Sequence, residues 1–122
     1  MNRSFRNDQP IYTQLIVGLK QDIVSGALPP GARLPSVREL ATELGVNPNT
    51  VQRALQELER EGLVYAQRTN GRFVTEDTAA IAGCKQALAA AQIREFLAAM
   101  TPLGYGRQEI IDLLREEKEE KA

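Results

Sequence analysis

A mainly α-helical chain carrying one small β wing is what the sequence predicts, on three observations. Residues 34–58, LPSVRELATELGVNPNTVQRALQEL, hold two short helical stripes joined by a glycine corner. Residues 63–75 hold two short β-prone runs around an Asn-Gly turn. From residue 76 the chain turns alanine-rich and helical almost to its end. Together these predict a winged helix-turn-helix over residues 1–75, followed by two helices over residues 76–122.

Residues 1–9 are polar and are expected to be loose or partly ordered. Pro10 opens the first helix, where its missing N–H costs nothing. Ile11, Leu15, Leu19 and Ile23 recur every fourth residue with Ile16 beside them, and Gly26 ends the run. Residues 28–31, LPPG, exclude a continuing helix and form a rigid turn. In the second helix Ser36 stands three residues before Glu39, the spacing of a capping box. Val37, Leu40, Ala41 and Leu44 line its apolar stripe, and Gly45 stops it. Asn47 caps the third helix and Pro48 fits its first turn. Val51, Ala54, Leu55 and Leu58 make the buried stripe of that helix. Asn49, Gln52, Arg53 and Gln56 fall on its other sides, a polar surface that no internal packing requires.

Gly62 provides the exit from the third helix. Residues 63–66, LVYA, and 72–75, RFVT, are the expected strands, with Thr69-Asn70-Gly71 as the turn and Arg68 and Arg72 close to its tip. A two-stranded ribbon is marginal alone, so Leu63, Val64, Phe73 and Val74 are expected to pack partly onto the helices. Residues 79–100 form the next helix, whose stripe is Ile93, Phe96, Leu97 and Met100, with Leu88 and Ile81 further back. Thr101-Pro102 ends or interrupts that run, and Gly104-Tyr105-Gly106 turns a corner. A last helix over residues 107–117 brings Ile110, Ile111, Leu113 and Leu114, and the final EEKEEKA is expected to fray. A winged helix is complete by Thr75, so the two added helices have apolar faces and no core of their own. They must pack on the winged domain or on another copy, and dimerisation through Leu88, Ile93, Phe96, Leu97, Met100, Ile110, Ile111 and Leu114 is the economical explanation.

Composition narrows the function. The 122 residues suit one domain of ordinary size, or a small domain with an appendage. A net charge of -1 gives no support to a strongly basic nucleic-acid binder, but the charge is uneven. Residues 1–75 carry nine Lys/Arg against seven Asp/Glu, a net of +2, and residues 76–122 carry six against nine, a net of -3. A weakly basic head and an acidic tail suit a DNA reader joined to a part that avoids DNA; chance is the competing account. There is no histidine and one cysteine, Cys84, so an internal disulfide and a thiolate metal cluster are excluded, and no cofactor is expected. Cys84 reads as a buried small hydrophobe, with a redox sensor as the alternative. Without a phosphate-binding glycine loop or a partnered nucleophile, no catalysis is expected. No apolar run is long enough to span a membrane and no secretory leader is visible, so the expected location is cytoplasmic.

The candidate contact residues each have a competing role. Arg38 is placed to clamp a phosphate, against a salt bridge to Glu39 or Glu43. Asn49 and Gln52 each offer an amide pair to an adenine edge, against capping or solvation. Thr50 suits a phosphate or a thymine methyl, and equally a first helical turn. Arg53 lies beside the buried stripe, where bracing against Glu57 or Glu61 competes. Arg68 and Arg72 suit phosphates or the minor groove, against a solubilising role. Tyr12 and Tyr65 read as packing residues.

From residue 10 to residue 74 the chain resembles the GntR family of bacterial transcription regulators. The matching elements are PIYTQL at 10–15, SGALPPGARLPSVRELATELGV at 25–46 and NPNTVQRALQELEREGLVYAQRTNGRFV at 47–74. The two-helix tail, including LGYGRQEIIDLL at 103–114, resembles the YtrA subfamily, whose members lack a large ligand-binding domain. The resemblance implies a homodimer that binds an inverted-repeat operator, usually as a repressor of its own operon or of neighbouring transporter genes. It carries a DNA contact onto Arg38, polar contacts onto Asn47, Asn49, Thr50, Gln52 and Arg53, and a minor-groove approach onto Gly71. Two departures stand out. Pro48 and Gln52 replace basic residues common in the family, so base preference does not transfer. The wing has Thr69-Asn70-Gly71 where Gly-x-Gly is common, although Asn70-Gly71 still suits a tight turn. The expected DNA-facing set is Arg33, Ser36, Arg38, Asn47, Asn49, Thr50, Gln52, Arg53, Arg68, Asn70, Gly71 and Arg72. The expected partners are double-stranded operator DNA and a second copy of the chain, with a small-molecule effector left open. A winged helix used for protein–protein or RNA contacts, without operator recognition, is the alternative function.

Overall fold

The computed structural model describes residues 5–118. The order is α1 (Ile11–Ser25), α2 (Val37–Leu44), α3 (Pro48–Arg60), β1 (Val64–Gln67), β2 (Gly71–Val74), α4 (Thr78–Met100), a 3-10 turn at Thr101–Leu103 and α5 (Arg107–Glu116). Two compact units divide at Leu88 and Ala89, so the first unit includes the opening turns of α4.

The first unit has one core, and the helical stripes build it. Leu15, Leu19 and Ile23 of α1 meet Leu40 and Ala41 of α2, and Val51, Ala54, Leu55 and Leu58 of α3, with Leu34, Leu63, Val64 and Val74 closing the floor. Phe73 is half-buried and stacks on Tyr65, ring centres 5.7 Å apart. From α4, Ile81 and Cys84 lean on this core. Cys84 is half-buried rather than buried, and that partial burial pushes its thiol pKa up.

Each helix of the helix-turn-helix starts and stops where its capping residues dictate. Ser36 Oγ accepts from the Glu39 N–H at 3.1 Å and the Ser36 N–H donates back to Glu39 Oε1 at 3.1 Å, a complete capping box. Hydrogen bonds from the Ser36 backbone and side chain hold the Glu39 carboxyl below the usual carboxylate range. Its contribution is therefore present above the unfolded carboxylate pKa and is lost as pH falls through the lowered value. Asn47 Oδ1 accepts from the Asn49 N–H at 2.8 Å and so opens α3. Gly45 ends α2 in the left-handed region at φ 66°, which a side chain would disfavour. Ser36→Ala is expected to lower unfolding stability by about 0.5–2 kcal/mol, read from the urea midpoint at constant slope. An unchanged midpoint would show that the box contributes nothing.

Several expectations are corrected. The strands run one residue later and one residue earlier than expected, Val64–Gln67 and Gly71–Val74, paired Val64 to Val74 and Gln67 to Gly71. The tip is a loop over residues 68–70 rather than Thr69-Asn70-Gly71, because Gly71 already opens the second strand. Only glycines have positive φ among the described residues, and Gly71 supplies it at 98° as the second strand begins. The wing also has a third strand-like edge. Residues 31–34 pair with the free side of β2 through a bridge between Arg33 and Phe73, Val74 N–H to Ala32 O at 2.8 Å and Leu34 N–H to Arg72 O at 2.9 Å.

The leading segment is held from Phe5, which packs on the core. Gln14 ties down residues 6 and 9 through its amide, the Arg6 N–H donating to its Oε1 at 2.7 Å. Residues 1–4 of that segment, and residues 119–122 of the tail expected to fray, lie outside the described residues. In the second unit, the 3-10 turn follows α4 directly, Gly104 reverses the chain at φ 89°, and Glu109 Oε1 accepts from the Gly106 N–H at 2.9 Å to start α5.

Candidate nucleic-acid interface

The exposed side of α3 carries the polar residues left over once its stripe is buried. Asn49 is exposed, Thr50 and Gln52 are half-buried, and Arg53 is exposed. Asn47 is committed to its cap by one side-chain oxygen, as Ser36 is to its box. Flanking α3 are Arg38 in the first turn of α2 and Arg68 at the wing tip, both exposed.

The arginines divide into two groups. Arg60 pairs with Glu57 and holds that carboxyl down at about 2. Arg72 pairs with Glu59 and faces Gln52 Oε1 at 3.5 Å from Nη1. The Arg53 guanidinium lies 4.4 Å from the centre of the Tyr12 ring. The competing brace against Glu57 or Glu61 is not formed: Glu57 takes Arg60 and Glu61 takes Lys20 at 2.8 Å. Arg33, Arg38 and Arg68 make no ion pair among the described residues, and the competing bridge from Arg38 to Glu39 or Glu43 is absent. Among the candidate contact arginines, these three are left without a carboxylate or ring partner among the described residues.

Arg33 and Gly71 are brought together by the third edge of the wing. A Cβ at Gly71 would sit 3.2 Å from Arg33 Nε, a distance that a small shift of the exposed arginine would relieve, so it is the positive φ that calls for glycine. A cleft of about 150 Å³ lies between wing and α2, lined by Arg33, Leu34, Pro35, Ser36, Val37, Gly71 and Arg72. Asn70 stays at the tip, its N–H donating to Gln67 O at 2.8 Å. Tyr12 and Glu59 had no place among the candidate contacts. Both act through a partner distant in sequence, which no local pattern signals.

The candidate dimer residues separate similarly. Ile93, Phe96 and Leu114 are exposed, Leu88, Leu97, Met100 and Ile111 are half-buried, and Ile110 is buried within its own chain. Leu103, Tyr105 and Leu113, outside the candidate dimer set, add exposed apolar surface. In the second unit Phe96, Met100, Ile110, Leu113, Leu114, Glu116 and Glu117 line a groove of about 440 Å³.

The pattern of bacterial regulatory proteins of the gntR family matches residues 11–74, the whole of α1 to β2. The chain belongs to the GntR family. It is a DNA-binding regulator of that family, and the similarity extends beyond the winged unit. The uncharacterized HTH-type transcriptional regulator YhcF of Bacillus subtilis is 36% identical over 112 residues, 92% of this chain and 93% of YhcF. A solved GntR family transcriptional regulator from Listeria monocytogenes superposes with a TM-score of 0.85 at 37% identity, over 93% of this chain and all of that one. The HTH-type transcriptional repressor YtrA of Bacillus subtilis is 47% identical over 72 residues, 59% of this chain and 55% of YtrA. No described helix of this GntR protein is long and apolar enough to cross a membrane.

Proposed function

We propose that this GntR protein is a YtrA-like homodimeric repressor of its own operon or of neighbouring genes, binding an inverted-repeat operator. The first turns of α3 enter the major groove, Arg33, Arg38 and Arg68 hold phosphates, and the wing approaches the flanking minor groove at Gly71. Residues 1–75 are the DNA-binding part and residues 76–122 join the two copies. The observation that carries the dimer is the surface of the second unit. Ile93, Phe96, Leu103 and Leu114 are 41–68% exposed in a single chain, large apolar side chains left in water, and Phe96 and Leu114 line one groove. The likeness to the repressor YtrA supports repression.

Sedimentation at micromolar concentration is expected to give about twice the 13.5 kDa chain mass. Duplex DNA from the protein's own promoter region is expected to bind as a near-palindrome, half-site centres one or two helical turns apart. Scrambling either half-site then costs most of the affinity, and rising salt weakens binding steeply. A monomer that bound one isolated half-site as tightly as the pair would overturn the proposal.

A further inference from the structure

We propose that Glu59 and Arg72 are positioning residues that fix the Gln52 amide as a hydrogen-bond donor, so that Gln52 selects guanine over adenine at one position of each half-site. The inference rests on α3 being the groove-facing helix and adds to it which base edge that helix recognises.

Gln52 and Glu59 lie seven residues apart on α3, two turns along the same face. Arg72 reaches them from β2. Its backbone is held on both sides, by the ladder pair with Ala66 and by the Leu34 N–H donating to its carbonyl at 2.9 Å. Its Nε pairs with Glu59 Oε1, and its Nη1 faces Gln52 Oε1 at 3.5 Å. The Arg72 and Glu59 side chains are only 20% and 31% exposed, so water competes weakly for the pair. Arg72 is thereby an internal strut between wing and recognition helix.

The orientation of the amide follows from that strut. A guanidinium has donors and no acceptor, so the group that Gln52 turns towards it is the carbonyl oxygen. The NH₂ diverges from the same carbon and points elsewhere. Bidentate reading of adenine needs oxygen and NH₂ on one base edge, the oxygen accepting from N6 and the nitrogen donating to N7. With the oxygen drawn to Arg72, the NH₂ alone is presented to the groove. Guanine offers it two acceptors, O6 and N7, whereas adenine sets its own N6 donor against it. Gln52 therefore has a different preference from the adenine pairing that an unconstrained glutamine offers.

The test is selection of bound duplexes from a random pool by the full chain, with sequencing of each bound pool. The native protein is expected to select guanine at one position per half-site, and Gln52→Ala to flatten that position. Glu59→Gln releases the strut and is expected to move the same position towards adenine on the order of 10-fold. Arg72→Leu removes the anchor from the wing side and is expected to give the same shift, so a folding defect in one variant does not leave the question open. A purely structural role for the pair would change affinity without changing that base. The proposal falls if Gln52→Ala flattens no position, if the native protein selects adenine where Gln52→Ala flattens, or if both strut variants keep guanine. A native protein that enriches no sequence at all would overturn the operator reading itself, a different and recognisable result.

Discussion

Phe96→Glu is expected to convert the proposed dimer into monomers and to weaken operator binding by about 100- to 10,000-fold. Two linked reading heads gain that factor because the second contact is made at high effective concentration. Phe96 is 41% exposed in the single chain, so little internal packing is lost on replacing it. It lines the groove that also carries Glu116 and Glu117, and a third carboxylate there adds like-charge repulsion where two copies would meet. Sedimentation should fall to one chain mass, and titration on the paired site should approach that on a single half-site. The melting transition of the winged unit should persist, since Phe96 belongs to the other compact unit. A Phe96→Glu protein that stayed dimeric with undiminished affinity would sink the assignment of this face.

Arg38→Ala and Asn49→Ala are expected to fail in different ways. Arg38 is exposed and makes no ion pair among the described residues, so the phosphate contact proposed for it can be removed with the fold intact. Affinity should drop by similar factors on operator and unrelated duplexes, with the salt slope reduced by about 1. Asn49 gives its backbone N–H to the Asn47 cap while its side chain stays exposed, so alanine there spares the helix start. Its loss should cost about 1–3 kcal/mol on the operator and little on random DNA, narrowing the ratio between them. Titrations at several salt concentrations decide between the two patterns. If Arg38→Ala erased the specificity ratio and Asn49→Ala left it intact, the division into positioning and base-reading residues would be reversed.

Features set by short-range chemistry were legible from the residues alone. Ser36 and Glu39 are three positions apart, and Asn47, Pro48, Gly26 and Gly45 punctuate helices through their own backbone preferences. The stripes Leu15, Leu19, Ile23 and Val51, Ala54, Leu55, Leu58 followed from period and ended up in the core. Contacts made across the fold were not legible. Tyr12 under Arg53, Glu59 with Arg72, and residues 31–34 against β2 join segments brought together only by packing. The arginine list therefore could not be divided into held and available cations in advance. The stripe of α4 was visible as a stripe, but its covering partner is not encoded in periodicity.

The pairing of residues 31–34 with β2 also sets where the chain tolerates a change of length. Side chains alternate faces along an extended segment, so Leu34 points into the core at 4% exposure while its neighbour Arg33 stays outside across Gly71. One residue inserted between Gly31 and Leu34 would exchange these faces, sending a guanidinium inward and a leucine outward. The loop over residues 68–70 carries no such alternation and is fully exposed, so it has room for extra residues. Length variants of this protein should accordingly accumulate at the tip of the wing and be rejected in the turn before α2, although both segments look like ordinary surface connections.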